Sequence, residues 1–455
     1  MGLFGHVDHG KTELARALSE KVSTAGLDRH PEAKRRQMSI DIGFTAFTLA
    51  NYLVTLVDVP GHADLIRTAV SGASIIDSAI LVVSATQGPQ TQTGEHLVLL
   101  ESLEIQSVLV ALTKIDLVNE TKVTAVKESI QNILSDSRFR NAPIAPVSSL
   151  RSSGISELKD LLLSILTIPK RDPLGKFRMV IDHAFPIKGV GTVVTGTIVR
   201  GTIRVDEEVE ISPANIRSRV KSIQTFKEPR KMAEAGDRVG MALQGVDHRA
   251  VHRGYYACLL GSLKPTSHII AKAKINRFFN REVKPGLAMH MTVGMSSVQA
   301  EVYPYRSEEN KEMITSAQGG VEFQMYLRPR QPIIAEPGDK ILLSLLSLSP
   351  TALRIAASGI VLERLPSQPQ LCIFDEKTGI VARVLRAGSV LIGGLSKSKI
   401  GGERIIGEGI TTERGVKGIV SSTFGTRGLV VAEFGEMPNL GEKVSLKRYR
   451  ELILG

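Results

Sequence analysis

A glycine-bounded loop near the start of the chain constrains the fold more than any other feature. Gly5-His6-Val7-Asp8-His9-Gly10-Lys11-Thr12 matches Gly-x-x-x-x-Gly-Lys-Ser/Thr, with apolar Leu3 and Phe4 before it and a helix predicted over 12–22 after it. Such a strand, loop and helix wrap backbone N–H groups around phosphates, here predicted for Asp8, His9 and Gly10. Lys11 is predicted to reach the β- and γ-phosphates of a nucleotide, and the Thr12 hydroxyl to bind Mg²⁺.

A second phosphate-side motif follows in Asp58-Val59-Pro60-Gly61-His62, directly after the predicted strand 52–57. A carboxylate at the end of a parallel strand beside the first loop suits Asp58 to steady Mg²⁺ without binding it directly. Gly61 has no side chain to keep its N–H from the γ-phosphate, and His62 stands where an attacking water can be oriented. Alone this motif is only a turn, but the preceding phosphate loop makes it a nucleotide motif.

Two further loops are positioned to bind the base. Thr113-Lys114-Ile115-Asp116 ends the predicted strand 107–112, and Asp116 can accept both N–H donors of guanine, which adenine does not offer in that geometry. Ser148-Ser149-Leu150 follows the next predicted strand and offers backbone N–H groups to the guanine oxygen. Alone these are two ordinary strand-to-helix loops. Their order behind the other motifs favours a guanine site, with GTP and GDP as ligands.

The chain of 455 residues is too long for one core, and its patterning changes along its length. Up to about residue 170, apolar strand-like runs alternate with helical patterns, which is typical of a parallel sheet covered by helices. Beyond the linker 168–173, short β-branched runs separated by turns indicate small barrels. We therefore predict a multidomain protein: an α/β P-loop GTPase domain (1–170) followed by three β-barrel domains (171–262, 263–365 and the small β-rich 366–455).

Charge and composition narrow the possible partners. Residues 1–170 carry 16 basic and 18 acidic side chains, whereas 171–365 carry 28 and 19, and 366–455 carry 13 and 9. The basic later domains fit a partner such as RNA, and equally a basic surface without a nucleic-acid role. Two cysteines cannot form a disulfide framework, and we expect reduced thiols in a cytoplasmic protein. Neither a membrane span nor a signal peptide is predicted, so no membrane partner is expected.

With these motifs the chain resembles the translational GTPases, the family of elongation factor Tu. The His-Val-Asp-His form of the phosphate loop and the histidine after Asp-x-Pro-Gly carry this resemblance. Later segments resemble the archaeal form of the selenocysteine-specific elongation factors (SelB) over essentially the whole chain, for example Asp182-His183-Ala184-Phe185-Pro186-Ile187, Thr91-Gln92-Thr93-Gly94-Glu95-His96 and Thr423-Phe424-Gly425-Thr426-Arg427-Gly428. This resemblance implies a monomer that delivers selenocysteinyl-tRNA to the ribosomal A site at UGA codons, with His62 orienting water once the ribosome positions it.

The resemblance also implies an aminoacyl pocket formed by Asp182, His183 and Arg238. A selenol is more acidic than a thiol and is an anion at neutral pH. A guanidinium and an imidazole placed together favour that anion, and the carboxylate can orient the imidazole. From the residues alone, a strand-end Asp-His pair and a surface arginine remain the alternative.

One segment departs from the family pattern. Gln37, Met38 and Ser39 stand where the family usually has Gly-Ile-Thr. The resemblance implies that the Ser39 hydroxyl completes the Mg²⁺ shell and that Met38 faces Val7 across an apolar gate around the catalytic histidine. Serine lacks the methyl group that restrains threonine, and methionine is flexible. We expect GTP binding to be retained and switching or hydrolysis to be altered.

Other functions remain open at this point. They are a SelB-like paralogue carrying another aminoacyl-tRNA, an initiation-factor subunit that holds initiator tRNA, and a GTP-dependent ribosome-binding factor without tRNA. The initiation subunit commonly has a cysteine zinc knuckle, and residues 1–170 contain no cysteine. Whether an mRNA element or its binding protein is a partner stays open, and the basic stretch 443–450 is either an RNA contact or a solvated edge strand.

Overall fold

The computed structural model describes residues 1–22, 42–60, 66–73, 75–306, 311–314, 316–317, 319–349, 352–386 and 388–452. The chain divides into two compact units, Met1–Tyr303 with Ser316–Ser367, and Pro304–Thr315 with Gln368–Gly455. Across the described residues, no helix combines the length and the apolar character that a membrane crossing needs.

The first domain is built on a seven-stranded sheet. Its strands are β1 (Gly2–Phe4), β2 (Lys21–Val22), β3 (Gly43–Leu49), β4 (Tyr52–Asp58), β5 (Ser78–Ser84), β6 (Ser107–Thr113) and β7 (Ile144–Pro146). The order is β2-β3-β4-β1-β5-β6-β7, parallel from β4 onward and antiparallel at the β2-β3-β4 edge. Ligands of such sheets bind beyond the carboxyl ends of the parallel strands, which places the predicted nucleotide motifs at one edge.

The described helices of this domain follow the strands. They are α1 (Lys11–Leu18), α2 (Ile66–Ala73), α3 (Thr91–Ser102), α4 (Glu120–Ser135) and α5 (Ile155–Ile165), with a 3₁₀ turn at Ile115–Leu117. The predicted helix 12–22 is too long, because Lys21 and Val22 instead pair with β3. No strand was predicted at β3, because all but one of its residues are buried and the alternation typical of a half-exposed strand is missing.

Side chains on the two faces of this sheet form separate cores. On β5, Ile80 points into a core with Leu14 of α1, and Leu81 points into another with Leu99 of α3. All four are at most 2% exposed, and burying such a side chain stabilises by roughly 1.5–3 kcal/mol. The two packed faces hold the sheet rigid, so the loops at its carboxyl edge have fixed attachment points.

The second domain is a small antiparallel barrel. Its strands are β8 (Arg178–Ile187), β9 (Gly191–Arg200), β10 (Thr202–Arg204), β11 (Glu208–Ser212), β12 (Ile216–Thr225), β13 (Glu228–Arg230), β14 (Met232–Glu234), β15 (Arg238–Leu243) and β16 (Tyr256–Cys258), with a 3₁₀ turn at His248–Ala250. The order is β11-β16-β8-β9-β15-β12-β13, and an additional β11–β12 pairing closes the ring. Strands β10 and β14 form a separate pair.

The third domain is a closed barrel of order β17-β20-β19-β18-β21-β22. Its strands are β17 (Ile269–Ile275), β18 (Leu287–Val293), β19 (Ser296–Tyr305), β20 (Glu322–Pro329), β21 (Lys340–Ser344) and β22 (Ile355–Arg364). Its interior is packed with aliphatic and methionine side chains, among them Ile269, Met289, Met325 and Leu343.

Among the described residues, several ion pairs join the third domain to the others, and two of them are short and well covered. Arg354 Nη2 lies 2.6 Å from Glu95 Oε2 on α3, and both side chains are nearly covered, at 4% and 6% exposure. Arg178 of β8 donates two 2.8 Å hydrogen bonds to the Asp339 carboxylate. Because desolvation offsets much of the attraction, such pairs fix relative orientation more than they add net stability.

The smaller unit contains its own closed barrel. Its elements are β23 (Leu371–Arg386), β24 (Ser389–Gly393), α6 (Lys399–Glu403), β25 (Gly409–Thr412), β26 (Lys417–Phe424), β27 (Leu429–Phe434) and β28 (Lys443–Leu452). The order is β23-β24-β27-β26-β25-β28. Since β28 pairs with both β23 and β25, the alternative of an edge strand at 443–450 is wrong. The predicted fold class, an α/β domain followed by three barrels, is confirmed, and the four domain ranges stay predictions.

We predict that Glu95→Gln destabilises the larger unit by about 3–5 kcal/mol, because it leaves the buried guanidinium of Arg354 without its carboxylate. The loss is measured on the first transition of urea unfolding. Glu322→Gln is the matched control, since its pair with Lys272 is about half exposed, and we expect it to cost less than about 1 kcal/mol. Equal losses in the two variants would contradict the assigned role of burial.

Candidate nucleotide and aminoacyl sites

The phosphate loop between β1 and α1 depends on backbone conformations that favour glycine. Gly5 has φ 144° and Gly10 has φ 86°. A Cβ atom on Gly5 would collide with the carbonyl oxygen of Val82 on β5. The loop therefore turns back tightly over the sheet, and its N–H groups can face a common centre, as anion-binding loops require. Asp8 is exposed on this loop and Val7 is half-buried.

Lys11 lies across the loop. Its Nζ donates to the carbonyl oxygens of Gly5 at 3.0 Å and His6 at 2.7 Å. Burial lowers the pKa of Lys11 to about 8. A phosphate anion placed beside this ammonium favours its charged form, so phosphate binding and full protonation of Lys11 support each other.

The hydroxyl of Thr12 and the carboxylate of Asp58 meet at the ends of α1 and β4, where Thr12 Oγ1 donates to Asp58 Oδ2 at 2.8 Å. Oxygen donors of this kind suit Mg²⁺, so the residues present fit that ion. Among the described residues, no group of three or more His, Cys, Asp or Glu side chains could hold a metal alone. The predicted residues Met38, Ser39, Gly61 and His62 lie outside the described residues.

The loops predicted to bind the base lie side by side, because β6 and β7 are parallel neighbours. Asp116 lies in the 3₁₀ turn after β6, preceded by Lys114 at φ 60°. Arg151 bridges the two loops: its Nε is 3.8 Å from Asp116 Oδ2, and its N–H donates to Ser148 Oγ at 3.3 Å. The neighbouring Ser149 is half-buried and Leu150 is exposed. The predicted base-binding residues are thus brought together.

Thr113 ties this base side to the phosphate loop. Its hydroxyl donates to the His9 carbonyl oxygen at 2.6 Å. His9 itself is buried, with Nε2 3.1 Å from Gln87 Oε1, and burial lowers its pKa to about 4. The neutral ring therefore packs under the loop, and the predicted role of His9 in nucleotide binding rests on its backbone.

His96 of α3, the last residue of the motif Thr91–His96, has a role in the phosphate loop that was not predicted from the sequence. The Gly5 N–H donates to His96 Nδ1 at 2.9 Å. Burial lowers the pKa of His96 to about 3, so the ring stays neutral and can accept this bond. His96 thereby anchors the first glycine of the phosphate loop.

The predicted aminoacyl residues form one cluster, in which Asp182 and Arg238 are buried and His183 is partly exposed. The register of β8 against β9 shifts between Ile181 and His183, which leaves Asp182 as the extra residue of a bulge. Asp182 Oδ1 accepts from His183 Nδ1 at 2.8 Å and from Arg238 Nη2 at 3.0 Å, while Arg238 Nη1 donates to Oδ2. Thr195, which the prediction missed, donates to Oδ1 at 2.6 Å.

Burial and pairing set the electrostatics of this cluster. Burial alone would raise the pKa of Asp182, but the Arg238 guanidinium and the hydrogen bond from His183 outweigh it and hold that pKa well below its usual range. The alternative of a surface arginine is wrong, because the Arg238 side chain is only 3% exposed. His183, at 28%, is the most accessible of the three side chains.

A cavity of about 230 Å³ opens beside Arg238. Its lining combines aromatic and aliphatic side chains with few polar ones, including Phe185, Val193, Gln224 and Phe226. Pockets of this make-up bind organic groups and fix them with a small number of polar contacts. The cluster therefore has a chamber next to it that can hold part of a ligand.

We predict that His96→Asn makes stability less dependent on pH. The folded pKa of His96 is about 3 and its ordinary value is 6.5, so the unfolded chain binds more protons between these values. Stability from the neutral ring is present above pH 6.5 and is lost as the pH falls toward 3, by up to about 1.4 kcal/mol per unit. Asparagine can accept the hydrogen bond from the Gly5 N–H but does not titrate.

Urea unfolding at several pH values measures how steeply the free energy of unfolding depends on pH, with His248→Asn as the half-exposed control. Parallel slopes for wild type and His96→Asn would refute the assignment.

Comparison with known proteins matches three family models to consecutive parts of the chain: the elongation factor Tu GTP-binding domain at residues 1–168, elongation factor Tu domain 2 at 191–258, and domain III of the archaeal selenocysteine-specific elongation factor at 263–364. The first two domains therefore match the wider elongation factor Tu family. The third matches a model specific to the archaeal selenocysteine factors.

Individual relatives agree with the family models. The selenocysteine-specific elongation factor of Methanocaldococcus jannaschii is 41% identical, with 99% of this chain and 97% of that protein covered. The mouse protein of the same name is 39% identical over 66% of this chain and 55% of its own length. The crystal structure of translation elongation factor SelB from Methanococcus maripaludis with the GTP analogue GppNHp superposes with a TM-score of 0.83 at 38% identity, covering 99% and 98% of the two chains. The chain belongs to the family of archaeal-type selenocysteine-specific elongation factors.

Proposed function

We propose that this chain binds selenocysteinyl-tRNA in its GTP state and releases it to the ribosomal A site at UGA codons. The chain is a translational GTPase that binds guanine nucleotide. The observation that supports selenocysteine as the aminoacyl group is the cluster of Asp182, His183 and Arg238, which lies beside a cavity of the second domain. A carrier of neutral aminoacyl groups needs no arginine and imidazole held on one carboxylate, whereas an anionic aminoacyl group is favoured by them.

At the nucleotide, we assign the phosphates to the loop residues Asp8, His9 and Gly10, with Lys11 reaching the β- and γ-phosphates. Asp116 accepts from the guanine edge, and the backbone of Ser148, Ser149 and Leu150 binds the guanine oxygen. Thr113 and Lys114 hold the two halves of this site together; support comes from the 2.6 Å bond of Thr113 to the phosphate loop.

Thr12 and Ser39 are proposed to hold Mg²⁺, which neutralises phosphate charge when bound, with Asp58 orienting this group from behind. Hydrolysis needs a water directed at the γ-phosphate. We assign that to His62, with Gly61 donating its N–H to the γ-phosphate and Val7 and Met38 closing the apolar gate. The ribosome brings His62 into place, so that GTP is hydrolysed only after the tRNA has been delivered.

In the proposed aminoacyl pocket, the cluster distinguishes an anionic aminoacyl side chain from a neutral one. Asp182 and Arg238 compensate each other, so the accessible imidazole of His183 is the group that meets the incoming side chain. A selenolate is favoured by an imidazolium donor and the flank of the guanidinium, whereas a serine hydroxyl gains only a neutral hydrogen bond. Bonds to charged groups are worth about 1.5–3 kcal/mol against about 1 kcal/mol for neutral ones, so the difference of about 0.5–2 kcal/mol corresponds to roughly two- to thirty-fold in affinity, with about tenfold near the middle of that range.

The remaining partners follow from delivery on the ribosome. We propose that the chain works as a monomer in the cytoplasm, where translation takes place. An mRNA element or a protein bound to it is the proposed signal for UGA, with the smaller unit as its contact. Residues 366–455 carry 13 basic and 9 acidic side chains, and this excess of positive charge supports a polyanionic partner, although Lys443 and Lys447 of β28 themselves pair with Glu413 and Glu376.

We predict that the chain with a non-hydrolysable GTP analogue binds selenocysteinyl-tRNA about tenfold more tightly than seryl-tRNA on the same tRNA body. His183→Asn should reduce this ratio, because asparagine can donate to Asp182 but cannot become charged. Equilibrium binding measures both affinities. His248→Asn, at a half-exposed position of the same domain, is the control and should keep the ratio. Equal affinities of the wild-type chain for the two tRNAs would overturn the selenocysteine cargo.

We predict that replacing Gln37, Met38 and Ser39 together by Gly, Ile and Thr changes the rate of GTP hydrolysis on ribosomes, because the replaced residues flank the proposed Mg²⁺ shell and gate. Stopped-flow measurement of phosphate release tests this. His62→Ala sets the lower reference and should lose about 100-fold or more of the stimulated rate. A triple variant whose rate equals that of the wild type shows that this segment does not tune hydrolysis.

A further inference from the structure

An aromatic ring from the GTPase domain lies against the pocket in the second domain. The Arg238 guanidinium carbon is 3.3 Å from the centroid of the Phe44 ring. The same ring meets the His183 imidazole edge-to-face, with centroids 6.4 Å apart and an interplanar angle of 85°. Phe44 is fully buried. One side chain of β3 thus contacts two of the three pocket residues.

The contact completes the support of the guanidinium. Asp182 takes up two N–H groups along one edge of Arg238, which leaves the flat face of the group to be held by something other than hydrogen bonds. An aromatic ring attracts a guanidinium through that face, and a buried contact of this kind is stronger than an exposed one. Without the ring, the guanidinium of Arg238 is held by the hydrogen bonds to Asp182 along one edge and can rotate about that edge.

The strand that carries this ring also borders the nucleotide site. In the antiparallel register of β3 and β4, Phe44 pairs with Val57 and Gly43 pairs with Asp58. Asp58 is the carboxylate that accepts the Thr12 hydroxyl. The residue next to Phe44 therefore pairs with Asp58, whose carboxylate belongs to the proposed Mg²⁺ site, and the first domain supplies part of the support of Arg238.

We propose that Phe44 is a positioning residue for cargo selection: its ring holds the guanidinium of Arg238 flat, so that Arg238 and His183 present one fixed arrangement to an anionic aminoacyl group. This inference rests on the proposed function, since it concerns how that pocket distinguishes selenocysteine from serine. It adds a residue of the GTPase domain to a pocket otherwise formed within the second domain.

If Phe44 has only a structural role, replacing it lowers stability but leaves the preference for selenocysteinyl-tRNA unchanged. Phe44 also packs in the core with Ile42, Val57 and Val59, so its loss lowers stability whatever it does for Arg238. Phe47 is the matched control, because it lies on the same strand, is equally buried and has a cation, Lys159 Nζ, 5.5 Å from its ring centroid. Phe47 packs in the core on the other face of the sheet.

The test compares Phe44→Leu, Phe44→Tyr and Phe47→Leu with the wild type. For each, the dissociation constants of selenocysteinyl-tRNA and seryl-tRNA are measured on one preparation with a non-hydrolysable GTP analogue, so a reduced folded fraction cancels in their ratio. We expect Phe44→Leu to lower the selenocysteine preference about tenfold, which corresponds to about 1.4 kcal/mol. Phe44→Tyr retains an aromatic face and should keep most of the preference, and Phe47→Leu should keep all of it.

Three results overturn the proposal: an unchanged preference in Phe44→Leu, an equal loss in Phe47→Leu, or a loss in Phe44→Tyr as large as in Phe44→Leu. The proposed function has a separate criterion, because equal affinities of the wild-type chain for the two tRNAs refute the cargo before any variant is made. A wild-type preference that survives in Phe44→Leu refutes the role of Phe44 alone.

Discussion

The hydrogen bond from the Gly5 N–H to the neutral ring of His96 is the contact on which the nucleotide site depends. It fixes the first glycine of the phosphate loop to α3, while the neighbouring Glu95 pairs with Arg354 of the third domain. Two consecutive residues of one helix therefore connect the phosphate loop and a distant barrel. Burial enforces both contacts, because an unpaired donor or charge at these positions is costly. The loop and the arrangement of the domains are supported by the same helix.

The same rule of burial with pairing shapes the cluster around Asp182 in the second domain. Asp182 is brought inward by a bulge, and its two oxygens accept from Arg238, His183 and Thr195. The guanidinium is compensated by the carboxylate, and the imidazole of His183 is the most accessible side chain of the three. A site of this kind is preorganised: its charges are already oriented before a ligand arrives, so binding costs little rearrangement.

Much of this could be predicted from the sequence, and the failures have local causes. The phosphate loop, the Asp58 turn and the two base loops could be predicted because each needs particular residues at fixed spacing after a strand, and the roles of their residues stay predictions. Strand β3 was missed because its buried residues do not alternate, and α1 was drawn too long because Lys21 and Val22 join the sheet through long-range pairing. His96, Thr195 and Phe44 went unassigned because a lone histidine, threonine or phenylalanine carries no pattern of its own.

The sequence by itself determined the chemistry: which residues can bind phosphate and guanine, the order of an α/β domain and three barrels, and membership in the family through motifs along the whole chain. Only the tertiary structure decided which side chains meet. Arg238 becomes a buried partner of Asp182, and Phe44 of the first domain reaches the pocket of the second. The physical reason is that spacing along a strand fixes only which face a side chain takes, whereas contacts between distant strands depend on register, bulges and the packing of whole domains.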